Sequence, residues 1–342
     1  MPSTRLYDVT HLDLEPLVRS RLDDDRLDQV IVQFYRSDQY DATLLTQLDA
    51  LCKEYGRRIN VRFYSHYPND AFDCANLRLL PHACSLTLDC EETIGDLTAL
   101  AGLASLTEFG LQIRIGNTPD ILGLPNLSKL QVLHVSQDQG PPLDLAPIAR
   151  MPELQELSVS AQSHNLRVLA EHGGIARLAL HRLPAKTSLE MVGPMRGLRQ
   201  LSVSFGSREG MPEVCHDQLE SLEVLRVRGL AQLDLERFAA LKKLYVADQA
   251  QLSQLALERA PLLEQLHLDN LTGLTGLTGL AASRLTQLRL IKTPGLDLLA
   301  LIQQPLPPTL SRLSLWTGKR KIDALIDAEQ QRLGLAKARG VF

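Results

Sequence analysis

An apolar motif of the form L-x-x-L-x-L returns through most of the chain, and no other feature restricts its fold as much. It occurs at Leu130/Leu133/Val135, Leu154/Leu157/Val159, Ile175/Leu178/Leu180, Leu198/Leu201/Val203 and Leu222/Leu225/Val227. It continues at Leu241/Leu244/Val246, Leu263/Leu266/Leu268, Leu285/Leu288/Leu290 and Leu310/Leu313/Leu315. Two earlier units fit, Leu106/Phe109/Leu111 and the looser Leu86/Leu88. With the middle apolar residue as marker (86, 109, 133, 157, 178, 201, 225, 244, 266, 288, 313), successive units lie 19 to 25 residues apart. That period corresponds to one small supersecondary unit per repeat. The L-x-L step has period two, so both of its leucines face one side of a short strand. A single unit cannot bury its own apolar face, whereas a stack of units can.

Composition agrees with this reading. Leucine makes up 70 of 342 residues while aromatic residues are only 4%, and 44% apolar with 22% charged residues describes a folded chain. The phased motifs resemble the leucine-rich repeat superfamily over about residues 80–318. The return segments IGDLTALAGLASL, LDLAPIARMPEL and LDLERFAALKKL resemble its short, internalin-like bacterial type, whose convex side carries turns, 3₁₀ segments or short helices. The resemblance implies an α/β fold, a leucine-rich repeat solenoid (horseshoe) with a concave parallel β-sheet. The asparagine usual after each strand is mostly replaced, by Asp138, Gln162, Gly206, Gln249 and Thr293.

The ends depart from the repeat. Residues 30–35 and 59–64 have strand character. Between them Asp41 can cap a helix running to about Tyr55 and closed by Gly56, with Leu44, Leu45, Leu48, Leu51, Cys52 and Tyr55 as its apolar stripe. Residues 1–80 are therefore expected as an N-terminal strand–helix–strand cap continuous with the solenoid. Residues 81–318 hold about eleven repeats, and residues 319–342 a C-terminal capping helix and tail. That helix is placed near 321–333, with Ile322, Leu325, Ile326 and Leu333 as its apolar residues.

No catalytic motif is present: no G-x-G-x-x-G, P-loop, H-E-x-x-H or G-x-S-x-G. The tract 271–280 (LTGLTGLTGL) lies between two repeats and reads as return turns rather than a phosphate loop. Five cysteines without a C-x-x-C pair argue against a disulfide framework or a zinc site and for a reducing compartment. Cys84 and Cys90 share the inward parity of Leu86 and Leu88, and Cys52 lies on the helix stripe. His134, His181 and His267 share a strand phase but stand at least two repeats apart, roughly 10 Å, too far for one metal; they read as surface histidines. No cofactor or metal is expected. With no signal-like N-terminal run and no apolar stretch of spanning length, the expected location is the cytoplasm.

Strand parity defines a candidate surface. Residues just before, between and after the two inward positions of each unit should face outward on the sheet. In the last five units these are Val224, Arg226, Arg228; Lys243, Tyr245, Ala247; Gln265, His267, Asp269; Gln287, Arg289, Ile291; and Arg312, Ser314, Trp316. Five cations stand there against one acid, with a Tyr and the only Trp of the chain. Arg226, Arg228, Lys243, Tyr245, His267, Arg289, Arg312 and Trp316 are thus the candidate partner-binding residues, of types enriched in interface hot spots. Such a face suits a protein with an acidic surface. A net charge of −4 and the absence of recognition helices argue against nucleic acid, and nothing points to a membrane. The expected function is a non-catalytic protein-binding scaffold. Within that class the resemblance admits a bacterial immunity or inhibitor protein that occludes a cognate toxin or enzyme, and a host-acting leucine-rich effector. The rival class, an enzyme, has only scattered serines and histidines to draw on. Arg62, Tyr64 and His66 mark a conceivable second contact region within residues 1–80.

Overall fold

Most repeats fold as a short strand followed by a return segment that contains 3₁₀ helix. The computed structural model describes residues 2–67, 70–113, 121–136, 142–160, 163–338 and 340. The chain divides into two compact units, Met1–Ile175 and Ala176–Phe342. The fold is that of an α/β leucine-rich repeat solenoid.

The first unit contains the parallel strands β1 (Ser3–Leu6), β2 (Gln29–Phe34), β3 (Ile59–Ser65), β4 (Ser85–Cys90), β5 (Glu108–Ile113), β6 (Val132–Ser136) and β7 (Glu156–Val159), side by side in chain order. Helix α1 (Leu14–Leu22) joins β1 to β2, and α2 (Ala42–Tyr55) joins β2 to β3. The Asp41 carboxylate caps α2 by accepting from the Leu44 N–H, and Gly56 at φ +56° ends it, as the sequence implied. The pair β1 and α1 was not anticipated. The N-terminal cap therefore consists of two strand–helix units leading into β3.

The second unit contains β8 (Arg177–His181), β9 (Gln200–Ser204), β10 (Ser221–Leu225), β11 (Lys243–Gln249), β12 (Gln265–Leu271), β13 (Gln287–Ile291), β14 (Arg312–Trp316) and β15 (Ala336–Lys337), again parallel and in order. Helices α3 (Leu298–Ile302) and α4 (Arg320–Arg332) flank its last strands. Of the apolar residues expected to seat α4, only Ile326 is fully buried; Leu325 and Leu333 are exposed. Gln330 does part of that work instead, its buried amide donating to the Leu313 carbonyl of β14 at 2.9 Å. Two residues of β15 then pair with β14, an edge the sequence did not reveal.

The inward leucines stack in register. In the second unit Leu178, Leu201, Leu222, Leu244, Leu266, Leu288 and Leu313 occupy equivalent places on adjacent strands, each at most 2% exposed. This row corrects the phase of one repeat. Leu222 and Val224, not Leu225 and Val227, are the inward strand pair of β10. The motif is Leu219/Leu222/Val224, with all three residues 0% exposed. The sequence 219–227 carries apolar residues at both i and i+3, so two overlapping frames satisfy L-x-x-L-x-L. Hydrogen-bond register with β9 and β11 selects the earlier one. The marker spacings there become 21 and 22 residues instead of 24 and 19.

On the return side aspartates open several 3₁₀ turns. Asp73, Asp96 and Asp234 each accept from a backbone N–H two residues on. Two buried histidines tie neighbouring returns together in the same way. His216 accepts at Nδ1 from the Gln218 N–H and donates from Nε2 to the Met195 carbonyl at 2.9 Å; His172 does the same with Gly174 and Met151. The LTGLTGLTGL tract is a return segment, as expected, and includes a short strand Gly276–Thr278 paired with Gln254–Ala256. A Cβ at Gly273 would collide with the Ala250 carbonyl of the previous return, which accounts for a glycine there.

Each strand from β8 to β13 carries one left-handed residue at its C-terminal end. Arg182, Phe205, Arg226 and Lys292 directly follow β8, β9, β10 and β13, whereas Asp248 and Asn270 are the penultimate residues of β11 and β12, and all six adopt φ between +49° and +59°. For L-residues other than Asn or Asp this left-handed conformation costs roughly 1 kcal/mol or more. The next residue turns back into the core. Gln249, 1% exposed, donates its amide to the Ala247 carbonyl at 2.9 Å, and Thr293 is 2% exposed. Gly206 at the same place also has positive φ, +73°. Asp138 and Gln162 lie outside the described residues.

All five cysteines are free thiols; Cys52, Cys74 and Cys90 are buried, Cys84 is half-buried and Cys215 exposed. Burial raises the Cys90 thiol pKa to about 12 and pushes that of Cys52 well above its ordinary value. Among the described residues no helix is long and apolar enough to cross a membrane, and no group of three or more His, Cys, Asp or Glu is placed to hold a metal ion.

Candidate partner-binding surface

Strands β8 to β14 present three outward rows, because alternate side chains leave opposite faces of the sheet. The first runs through Gln200, Ser221, Lys243, Gln265, Gln287 and Arg312, and the middle one through Ser202, Glu223, Tyr245, His267, Arg289 and Ser314. The third holds Ser204, Leu225, Ala247, Asp269, Ile291 and Trp316.

Lys243, Tyr245, His267, Arg289, Arg312 and Trp316 therefore stand on this face, where strand parity put them. Arg226 and Arg228 do not. The rephased repeat puts Ser221, Glu223 and Leu225 outward and buries Val224, which parity had exposed. Arg226 lies in the left-handed turn after β10, and Arg228 is bridged to Ser207 beyond the strand. Across β10 to β14 the face consequently carries three cations (Lys243, Arg289, Arg312) against two acids (Glu223, Asp269), and its charge there is more balanced than the sequence suggested.

The middle row is tightly organised. Tyr245 stacks on His267 with ring centroids 4.5 Å apart and planes at 26°. Arg289, one strand further, donates its Nε–H to His267 Nε2 at 3.0 Å. His267 is 3% exposed, so it is not the surface histidine expected: its neighbours on both sides cover it. Burial, with the Arg289 charge beside it, drives its pKa down to about 4, and it is neutral at pH 7. Burial also holds the Tyr245 phenol and the Asp269 carboxyl above their ordinary values. Trp316, 42% exposed, closes the third row with the Lys292 ammonium 5.3 Å from its ring centroid. His181 is half-buried and contacts Ser204.

The first unit has a different surface. Arg62 and His66 converge on Asp89, at 2.5 and 2.8 Å, and Asp89 is only 4% exposed. An aromatic band crosses the ends of the first three strands: Tyr7 stacks on Tyr35, Tyr35 meets Tyr64 edge-on, and Tyr64 packs on His66 at 4.3 Å. Arg62, Tyr64 and His66 stand out in the sequence, whereas Tyr7 and Tyr35 do not. Both directly follow short strands, and only the parallel pairing of β1, β2 and β3 aligns them. His134, half exposed, lies 3.5 Å from Glu156.

No family model matches the sequence, and no curated protein does. Among solved structures the chain is similar to an internalin of Listeria monocytogenes, at 17% identity over 89% of this chain and 94% of that one, with a TM-score of 0.43. It is also similar to a leucine-rich repeat protein of Leptospira interrogans, at 13% identity over 91% of this chain and 90% of that one, with a TM-score of 0.46.

Proposed function

We propose that the chain is a non-catalytic scaffold that docks a partner protein on the open sheet face of its second unit. The Tyr245–His267–Arg289 row carries this reading. A Tyr ring and an Arg fork are held in fixed positions by stacking and a hydrogen bond, so little side-chain entropy remains to be lost on binding. Trp316 adds a partly exposed aromatic on the same face, and Tyr, Trp and Arg dominate interface hot spots. Seven strands at their usual spacing span roughly 30 Å, comparable to a standard interface footprint.

Arg289, Arg312 and Lys243 favour a partner with acidic groups. A catalytic reading is weaker, because the buried base of the face, His267, has its Nε2 occupied by Arg289. Free thiols throughout the chain support residence in a reducing compartment such as the cytoplasm. A bacterial inhibitor occluding a toxin and a host-acting effector would both use this face, so the identity of the captured partner assigns the role.

The test is affinity capture with the wild type beside a Tyr245→Ala, Arg289→Ala, Arg312→Ala variant shown to be folded by circular dichroism. The expected result is a partner whose affinity drops by at least about tenfold in the variant, the scale of hot-spot losses. Equal affinity for both forms would move the binding surface elsewhere.

A further inference from the structure

The sheet of the first unit begins with an open edge. β1 pairs with β2 alone, and among the described residues nothing bonds to its other side. The Pro2 carbonyl faces β2, accepting from the Asp28 N–H at 2.9 Å. Backbone groups alternate in direction along a strand, so those of Arg5 and Tyr7 are directed out beyond the sheet. Monomeric proteins guard such an edge with lysine, proline or a bulge. Here the proline, Pro2, lies before the strand, and Arg5 is the strand's single charge.

The side chains at this edge form an incomplete set. Leu6 points into the core, and Arg5 and Tyr7 on either side of it stand on the open face. Tyr7 is 44% exposed. One face of its ring is stacked on Tyr35, which follows β2, so the other face is turned toward the edge. Arg5 is exposed; its charge reaches the Tyr35 phenol, but it has no hydrogen bond or ion pair among the described residues. The acid closest in the chain, Asp8, is held by the Gln39 amide at 2.6 Å. The edge thus offers a cation without a ring and, two residues on, a ring face without a cation. Leu12, in the loop that leaves β1 for α1, adds an apolar side chain that is 87% exposed.

We propose that β1 is a dimerisation edge whose occupant is β1 of a second copy of this chain, running antiparallel. A two-fold axis through Leu6, normal to the sheet, sets Arg5 of each copy opposite Tyr7 of the other. Their outward N–H and C=O groups then bond reciprocally, as in any hydrogen-bonded antiparallel pair. On the open face each guanidinium lies against the free face of the partner's tyrosine ring. The other registers that keep the faces matched fail. Centring on Arg5 opposes two cations, and centring on Thr4 leaves Tyr7 without a partner. A second copy suits the edge because two-fold symmetry supplies both the missing ring and the missing cation at once. The contact is independent of the partner-binding face of the second unit.

The test is sedimentation equilibrium of the full chain up to about 100 µM, a range suited to a contact of this small size. Wild type is expected to dimerise reversibly. Tyr7→Arg opposes arginine to arginine and should weaken self-association by at least about tenfold, through two lost ring–cation contacts and added repulsion. Arg5→Tyr opposes tyrosine to tyrosine. Mixing these two single variants recreates both ring–cation pairs in one heterodimer, and the exchange variant Arg5→Tyr with Tyr7→Arg recreates them in a homodimer. Both should return to within about threefold of wild type. Circular dichroism checks folding, and Arg5→Glu, at an exposed side chain, is an independent weakening variant. A wild type that stays monomeric over the whole range overturns the proposal. A dimer unchanged by both Tyr7→Arg and Arg5→Glu overturns it too, because the contact then lies elsewhere. So does association that grows past the dimer, the mark of an open head-to-tail chain. Failure of both the mixture and the exchange variant to recover affinity would reject the Arg5–Tyr7 register and the proposal with it.

Discussion

Arg289 donates its Nε–H to Nε2 of His267 at 3.0 Å, across two adjacent parallel strands. That bond defines the imidazole: Nε2 accepts, Nδ1 carries the proton, and the ring is neutral. It also orients the guanidinium, because a planar fork bound through Nε has its remaining N–H groups directed away from the bond. Tyr245 stacks on the opposite side of the imidazole. The buried histidine thus holds both of the more exposed side chains that the scaffold reading relies on.

Acid should loosen this row first. The folded-state pKa of His267 is about 4, below its ordinary 6.5, so the unfolded chain takes up the proton first as pH falls. Stabilisation from neutral His267 is complete above the unfolded value and is lost as pH drops through the folded one. Wild type should lose up to about 2 kcal/mol from this residue between roughly pH 7 and 5. Urea unfolding of wild type and His267→Gln across that range measures it. The variant should show the shallower dependence, and parallel curves would refute the assignment.

Phasing of the repeat at residues 219–227 makes an opposite pair of predictions. Val224 is 0% exposed, whereas Leu225 is half-buried on the open face. Val224→Asp buries a carboxyl among leucines and should cost at least about 3 kcal/mol. Leu225→Asp should cost less than about 1 kcal/mol. Chemical denaturation of the two variants decides, and a reversed order would restore the frame with Leu225 inward.

Two glycines of the 271–280 tract should respond differently to alanine. At Gly273 the new Cβ meets the Ala250 backbone carbonyl, which cannot swing away, and a loss of roughly 1–3 kcal/mol is expected. At Gly276 it meets the amide end of the exposed Gln254 side chain, which can rotate, so the change should stay within about 0.5 kcal/mol. Thermal unfolding of Gly273→Ala and Gly276→Ala compares them directly.

In the first unit Asp89→Asn removes the charge that Arg62 and His66 share. Arg62 keeps a largely buried guanidinium whose Nε already lacks a partner among the described residues. Breaking such a pair from one side should cost roughly 2–4 kcal/mol. Arg62→Met together with Asp89→Asn should recover part of the loss, because no uncompensated charge remains. A double variant less stable than Asp89→Asn alone would contradict this account.

Periodicity alone determined the architecture, because the L-x-L step and a repeat of 21–25 residues leave few ways to bury so much leucine. The same regularity made the α2 cap, the inward rows and the sheet-face position of six of the eight candidate residues legible. What it left open is relational. Apolar residues at both i and i+3 from Leu219 to Val227 satisfy two frames equally, and a one-dimensional pattern cannot rank them. Hydrogen bonds to β9 and β11 can, and by moving Arg226 and Arg228 into turns they changed the charge of the face. Burial of His267 likewise depends on Tyr245 and Arg289, each 22 residues away in sequence and adjacent only through strand pairing. The left-handed turns carry no signature in residue type, since Arg, Phe and Lys rarely occupy that conformation; only the backbone geometry imposed by the stack reveals them. Sequence periodicity determined which residues go inside, and tertiary register decided which of the remaining side chains stand together, because neighbours on parallel strands are set by hydrogen bonds between repeats and not by distance along the chain.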